Sequence, residues 1–202
     1  MIERWRPRFL VMTGIAAGTR PTQNYGDVLI AEAAYDYGSG KITETENGER
    51  MFTPSYSQLR VDATLHALLQ RWEREQLQTD VIRRAWHGEQ RSSPRLVIGL
   101  LASGAAVVQS QALVEDILGK SRKVVGLDME AYGIFHAAHL ATPPQPKVLI
   151  AKSVSDFADK RKDDIWQQYA AFTSARFVRE FFSMETGLLL GGTLEHGHRV
   201  VQ

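Results

Sequence analysis

Three short apolar runs, each closed by glycine or a small polar residue, constrain this chain most. They are Phe9-Leu10-Val11-Met12 before Thr13-Gly14, Leu96-Val97-Ile98-Gly99-Leu100-Leu101 before Ser103-Gly104, and Val148 to Val154 before Ser155-Asp156. Continuous rather than alternating apolar runs of this length mark strands buried on both faces, as in a parallel sheet. Further strands are expected over Asp27 to Tyr37 and at Val124-Val125, and Lys41 to Thr45 with Arg50 to Thr53 forms a peripheral hairpin around Glu46-Asn47-Gly48. Leu59, Val61, Leu65, Leu68, Leu69 and Trp72 predict a helix from Ser57 to about Glu75, and a shorter one covers Asp80 to Trp86. Gln111 to Leu118 reads as a helix stopped by Gly119, and Glu130 to Leu140 as a helix followed by Pro143-Pro144-Gln145-Pro146. Asp163 opens a long amphipathic helix through Trp166, Tyr169, Phe177 and Phe181, and the pattern dissolves after Gly187. Strands alternating with helices predict an α/β domain over residues 1–186 with a tail over 187–202. Its sheet is largely parallel, and its ligand crevice lies outside the carboxyl ends of the strands.

The 24 Lys and Arg almost balance the 23 Asp and Glu, so nothing in the bulk charge attracts nucleic acid, and a small-molecule ligand is expected. The absence of cysteine excludes disulfides, thiolate nucleophiles and Cys-ligated metal sites. Met1 to Pro7 lacks the apolar stretch of a signal peptide, and no run approaches the roughly 18 apolar residues of a membrane span, so no membrane association and a cytoplasmic location are expected.

Two acidic positions stand where chemistry is expected. Asp156 ends the run Ala151-Lys152-Ser153-Val154-Ser155-Asp156-Phe157, a place from which a strand delivers an acid to a cleft; the competing role for Ser155 and Asp156 is satisfying backbone groups in a turn. Glu130, in Asp128-Met129-Glu130, has a carboxylate able to accept hydrogen bonds from both hydroxyls of a ribose diol; the competing role is complementing a helix dipole. The segment from Thr13 to Gly18 matches neither a dinucleotide fingerprint nor a phosphate loop, and its glycines specify only close backbone approach. Lys160-Arg161-Lys162 fits a solvated loop or a contact for a substrate phosphate, and His136 and His139 lack a third metal ligand, so no metal is expected.

Together, Thr13-Gly14, Ser103-Gly104, Met129-Glu130 and Ser153-Val154-Ser155-Asp156-Phe157-Ala158-Asp159 resemble the purine nucleoside phosphorylase and uridine phosphorylase superfamily. Within it, the resemblance is to the methylthioadenosine/S-adenosylhomocysteine nucleosidase branch, and it runs from about Phe9 to about Phe182. It implies a three-layer α/β/α nucleoside phosphorylase-like fold with a largely parallel, twisted mixed central sheet. It implies cleavage of the N-glycosidic bond of an adenine-type purine nucleoside or nucleotide, without a cofactor, by a homo-oligomer, either dimer or trimer. By the same resemblance Asp156, supported by Ser155, protonates or hydrogen-bonds purine N7. Glu130, Met129 and Asp128 hold the ribose, Ala106, Val107 and Val108 line the base, and Phe157, Gly14 and Ile15 complete the site.

The departures carry information as well. Val107 stands where the family usually has an aromatic residue against the base, which reduces the expected base affinity. Ile15 replaces a frequent Ser after the first Thr-Gly and disfavours a phosphate-dependent phosphorylase. The strand, helix and strand that normally precede the segment matching Phe9 to Gly14, and that contribute a water-activating Glu, are not seen, so impaired turnover is expected. A phosphorylase, and a non-catalytic nucleoside-sensing or oligomerisation module joined to a signalling or effector domain, remain the alternatives.

Overall fold

The computed structural model describes residues 1–19, 21–45, 47–55, 57–89, 91–105, 111–120, 123–158 and 164–191. A short helix α1 (Ile2–Trp5) leads into β1 (Phe9–Gly18) and β2 (Val28–Asp36), then the hairpin β3 (Gly40–Glu44) and β4 (Arg50–Pro54), and β5 (Gln58–Arg60). Helices α2 (Ala63–Glu75) and α3 (Thr79–Arg84) precede β6 (Leu96–Ser103), α4 (Gln111–Lys120), β7 (Val124–Asp128), α5 (Ala131–His139) and β8 (Lys147–Asp156). A 3₁₀ turn at Asp164–Trp166 then enters α6 (Gln167–Leu189).

The main sheet has the order β5-β2-β6-β7-β1-β8, and β2 also pairs with β8, so five of its strands close into a ring with β5 outside. The sheet is mixed, with its longer pairings parallel. β1 lies parallel to β8 from Phe9 opposite Lys147 to Ala17 opposite Asp156, and β2 lies parallel to β6 from Val28 opposite Leu96 to Asp36 opposite Ser103. The two parallel blocks meet antiparallel, with Ala17 opposite Leu127 and Leu29 opposite Lys152. The strand cores are Val-, Leu-, Ile- and Ala-rich because both faces are covered, as for Val28 to Ala31 and Leu149 to Ala151.

Helix α6 packs on β8 and β1, and buries Phe177 and Phe181 edge-on to Trp72 of α2 at ring distances of 5.7 and 5.3 Å. The Trp72 indole N–H donates to the buried Glu185 carboxylate at 2.7 Å, and Arg71 pairs with the same group, which satisfies a charge inside the core. No helix among the described residues is long and apolar enough to cross a membrane.

Four local expectations change. Thr13-Gly14 does not end a strand; β1 continues to Gly18 because β8 pairs with it as far as Ala17 and β7 pairs with Ala17 and Gly18. Ser57 to Arg60 is not helical: Gln58–Arg60 adds an antiparallel strand to β2, and α2 starts after Asp62, whose carboxylate accepts the N–H groups of Thr64 and Leu65 at 3.0 and 3.2 Å. Gly119 lies within α4, where an added Cβ would meet open space, and α6 runs two residues past Gly187 to the buried Leu189.

Gly26, which leads into β2, has φ +85°, and a Cβ there would stand 2.3 Å from the Tyr169 ring. Gly26→Ala combines a left-handed backbone with overpacking, so it is expected to lower stability by about 2–4 kcal/mol. A urea melt showing less than about 1 kcal/mol of change would contradict the packing described for this turn.

Candidate functional site

The sheet brings the predicted acids together through a strand that neither occupies. Ala17 of β1 pairs with Leu127 of β7 on one side and with Asp156 of β8 on the other. Two strand spacings, about 10 Å, therefore separate the backbones of Leu127 and Asp156. By the same antiparallel register, Asp128 follows opposite Ala16 and falls between the levels of Lys152 and Asp156.

Asp156 reaches this place through a β-bulge. Ala16 pairs with Val154 and Ala17 with Asp156, so Ser155 is the extra residue on β8, and a bulge re-aims the side chains around it. The buried Ser155 hydroxyl donates to Asp156 Oδ2 at 2.9 Å, and the Ala158 N–H donates to Asp156 Oδ1 at 2.9 Å. Ala158 takes a left-handed φ of 54° to close this turn. The turn-forming role considered for Ser155 and Asp156 is therefore real, and it also fixes the direction of a carboxylate that remains partly exposed. Phe157 packs edge-on against Tyr25 at 5.1 Å.

Around Glu130 the arrangement is built on a buried lysine. Lys152 is almost wholly buried on β8, and its ammonium lies 2.8 Å from Glu130 Oε2 and 3.3 Å from Asp128 Oδ2. Asp128 also accepts the Ser103 hydroxyl at 2.6 Å and the Ala131 N–H at 2.9 Å, and the Tyr132 N–H donates to Ser103 Oγ at 3.0 Å. This network ties the ends of β6 and β7 to the start of α5. The Asp128 side chain has no accessible surface and its oxygens are already engaged. It holds Lys152 and accepts the N–H of Ala131 at the start of α5. Glu130 differs: half of its side chain is exposed, Oε2 faces Lys152, and Met129 beside it is 45% exposed.

Gly14 sits opposite Lys152 in the sheet, and a Cβ at Gly14 would lie 3.3 Å from the ammonium nitrogen. The glycine gives the lysine room to cross β1, and the Gly14 N–H donates to Ser174 Oγ of α6 at 3.2 Å. Ile15, the next residue, pairs with Ser153 and is partly buried. The Tyr37 phenol lies near this cluster, and burial, with the negative charges of Asp36 and Asp128, holds its pKa above the ordinary tyrosine value. Ala106, Val107, Val108 and Lys160-Arg161-Lys162 lie outside the described residues.

Lys152 is the residue that sequence reading overlooked. Its signal was present: a lysine inside Val148-Leu149-Ile150-Ala151-Lys152-Ser153-Val154 interrupts a core strand, and a buried ammonium requires a counter-charge. Among the described residues, no group of three His, Asp or Glu side chains is arranged to hold a metal ion.

The profile of the Phosphorylase superfamily matches residues 1–183. The protein y4jS of Sinorhizobium fredii is 35% identical over 175 residues, and the ATP nucleosidase Cap17 of Escherichia coli is 28% identical over 191 residues. These alignments cover 86% and 90% of this chain but only 42% and 37% of the relatives, so the chain spans well under half the length of either. Among solved structures, the 5'-methylthioadenosine/S-adenosylhomocysteine nucleosidase of Helicobacter pylori superimposes with a TM-score of 0.68 at 20% identity, covering 91% of this chain and 72% of that one. At that identity the superposition establishes the mixed α/β fold.

Proposed function

This chain belongs to the phosphorylase superfamily, and from that membership we propose that it is an N-ribosyl hydrolase that releases the base of an adenine-type purine nucleoside or nucleotide. The observation that carries the reading is that one strand, β8, supplies both ends of the chemistry. Lys152 holds Glu130 at 2.8 Å, and three residues further on Ser155 holds Asp156 at 2.9 Å. Nucleosidases among the relatives and structural neighbours support hydrolysis as the reaction type.

Cleavage of the C1′–N9 bond leaves its electron pair on the base and positive charge on the sugar. In its protonated form, Asp156 donates to N7 as the bond breaks and neutralises the departing base. Glu130 uses the oxygen not taken by Lys152 to accept the ribose hydroxyls, and its negative charge lies close to the developing ribosyl cation. Met129 covers the apolar side of the sugar. Water oxygen bonds to C1′, and the proton that water loses restores Asp156 through solvent.

The test is release of free base. In buffer without phosphate, chromatography is expected to show free adenine accumulating from adenosine, methylthioadenosine or AMP. Adenine that appears only after phosphate is added, together with ribose 1-phosphate, would replace the hydrolase with a phosphorylase. The ribose contact has its own check. Removing the 2′- or 3′-hydroxyl from the nucleoside is expected to weaken binding about 10-fold or more, as for a lost hydrogen bond to a charged group, and Glu130→Gln should narrow that difference. Equal affinities for adenosine and its deoxy analogues would remove Glu130 from the sugar site.

A further inference from the structure

A cationic cavity that neither Glu130 nor Lys152 lines stands at the end of α3. It encloses about 330 Å³ and is lined by Arg83 and Arg84 at the end of α3, by Trp86 and Gly88 in the following loop, and by Arg91. Hydrogen bonds anchor the described residues around it. The Trp86 indole N–H donates to Glu89 O at 3.0 Å, the Ser93 hydroxyl to Asp80 at 2.7 Å, and the Tyr169 hydroxyl to Ser92 O at 2.8 Å. Trp86 also packs on Tyr169 and Phe172 of α6 at ring distances of 5.4 and 5.1 Å.

Among the described residues, positive charge exceeds negative around this cavity. Arg91 pairs with Glu89 at 2.8 Å and Arg83 stands 3.9 Å from Asp80, too far for a hydrogen bond; among the described residues of this region three guanidinium groups meet two carboxylates. Excess positive charge around a cavity favours an anionic ligand. Guanidinium forks match the oxygens of phosphate, and the cavity has room for more than one phosphoryl group.

The cavity is also connected to the candidate acid. The Arg91 guanidinium lies 4.0 Å from the centre of the Trp166 ring, Trp166 stacks on Tyr25 at 4.6 Å, and Tyr25 meets Phe157, the neighbour of Asp156, at 5.1 Å. We propose that the Arg83, Arg84, Trp86 and Arg91 cavity binds phosphoryl groups, either free or carried by a nucleotide. The nucleotide case rests on the hydrolase reading above and makes the ring stack the wall between base and phosphates.

The experiment is calorimetric titration of the full chain with pyrophosphate, ATP and adenosine, repeated on Arg84→Gln. Arg84 is exposed and outside the Asp156 and Glu130 sites, so the variant retains the fold. Pyrophosphate is expected to bind the parent protein and to lose about 10-fold or more in affinity in Arg84→Gln, while adenosine binding is unchanged. If the phosphoryl groups belong to a nucleotide, ATP binds more tightly than adenosine and pyrophosphate competes with it; if they are free, ATP gains nothing over pyrophosphate. Either result supports the site. No binding of pyrophosphate, or equal binding by parent and variant, would overturn it. Pyrophosphate binding without any adenosine binding would instead count against the hydrolase reading alone.

Discussion

Asp156→Asn is expected to slow base release by about 10²- to 10⁴-fold, the range general acid catalysis contributes, while leaving nucleoside affinity within a few-fold of the parent. Asparagine keeps an oxygen to accept the Ala158 N–H and a shape that fits beside Ser155, so the turn that aims this side chain survives. What it loses is the transferable proton. The predicted loss amounts to about 3–5 kcal/mol of transition-state stabilisation, against little in the ground state. Ser155→Ala should act in the same direction but more weakly, because its hydroxyl only orients Asp156 Oδ2. A variant that binds poorly yet turns over normally at saturation would make Asp156 a binding residue instead.

The second large effect falls on stability. Lys152→Met is expected to lower the unfolding free energy by about 3–5 kcal/mol, because it strands the fully buried Asp128 carboxylate without its cation. Met has similar length and apolar character, so loss of volume contributes little. Pairing Lys152→Met with Asp128→Asn should recover a large part of the loss, since the uncompensated charge is then gone. Urea denaturation of the four proteins in this cycle measures the coupling, and strictly additive effects would show that the two groups do not interact. Lys152→Met also frees Glu130, so the KM for the nucleoside should rise even at temperatures where the variant is folded.

How much of this was legible in the sequence follows from where each signal resides. Val148 to Val154, Leu96 to Leu101 and the α6 periodicity through Phe177 and Phe181 are local patterns, and the strands and helix stand where those patterns put them. The Ser155-Asp156 and Met129-Glu130 pairs stand out in the sequence because their chemistry is written in adjacent residues. The network around Glu130 does not. Lys152 meets Glu130 across 22 residues of sequence, and Ser103 meets Asp128 across 25, so only the sheet register reveals these contacts. The strand end at Thr13-Gly14 was misplaced for the same reason. Glycine usually marks a turn, but here it leaves space for an ammonium on the neighbouring strand. Gln58 to Arg60 failed in a different way. Leu59 and Val61 satisfy both a helical and an alternating pattern, and the pairing with β2 decides between them.

The account turns on a proton passing from Asp156 to the purine. The most direct measurement compares single-turnover base release from adenosine and from 7-deazaadenosine, which lacks the N7 acceptor, by the parent protein and by Asp156→Asn. The predicted result is fast adenine release only for the parent with adenosine. Both alterations, singly or together, should bring the rate to one common low level while both nucleosides still bind. Release of adenine by Asp156→Asn at the parent rate would contradict it.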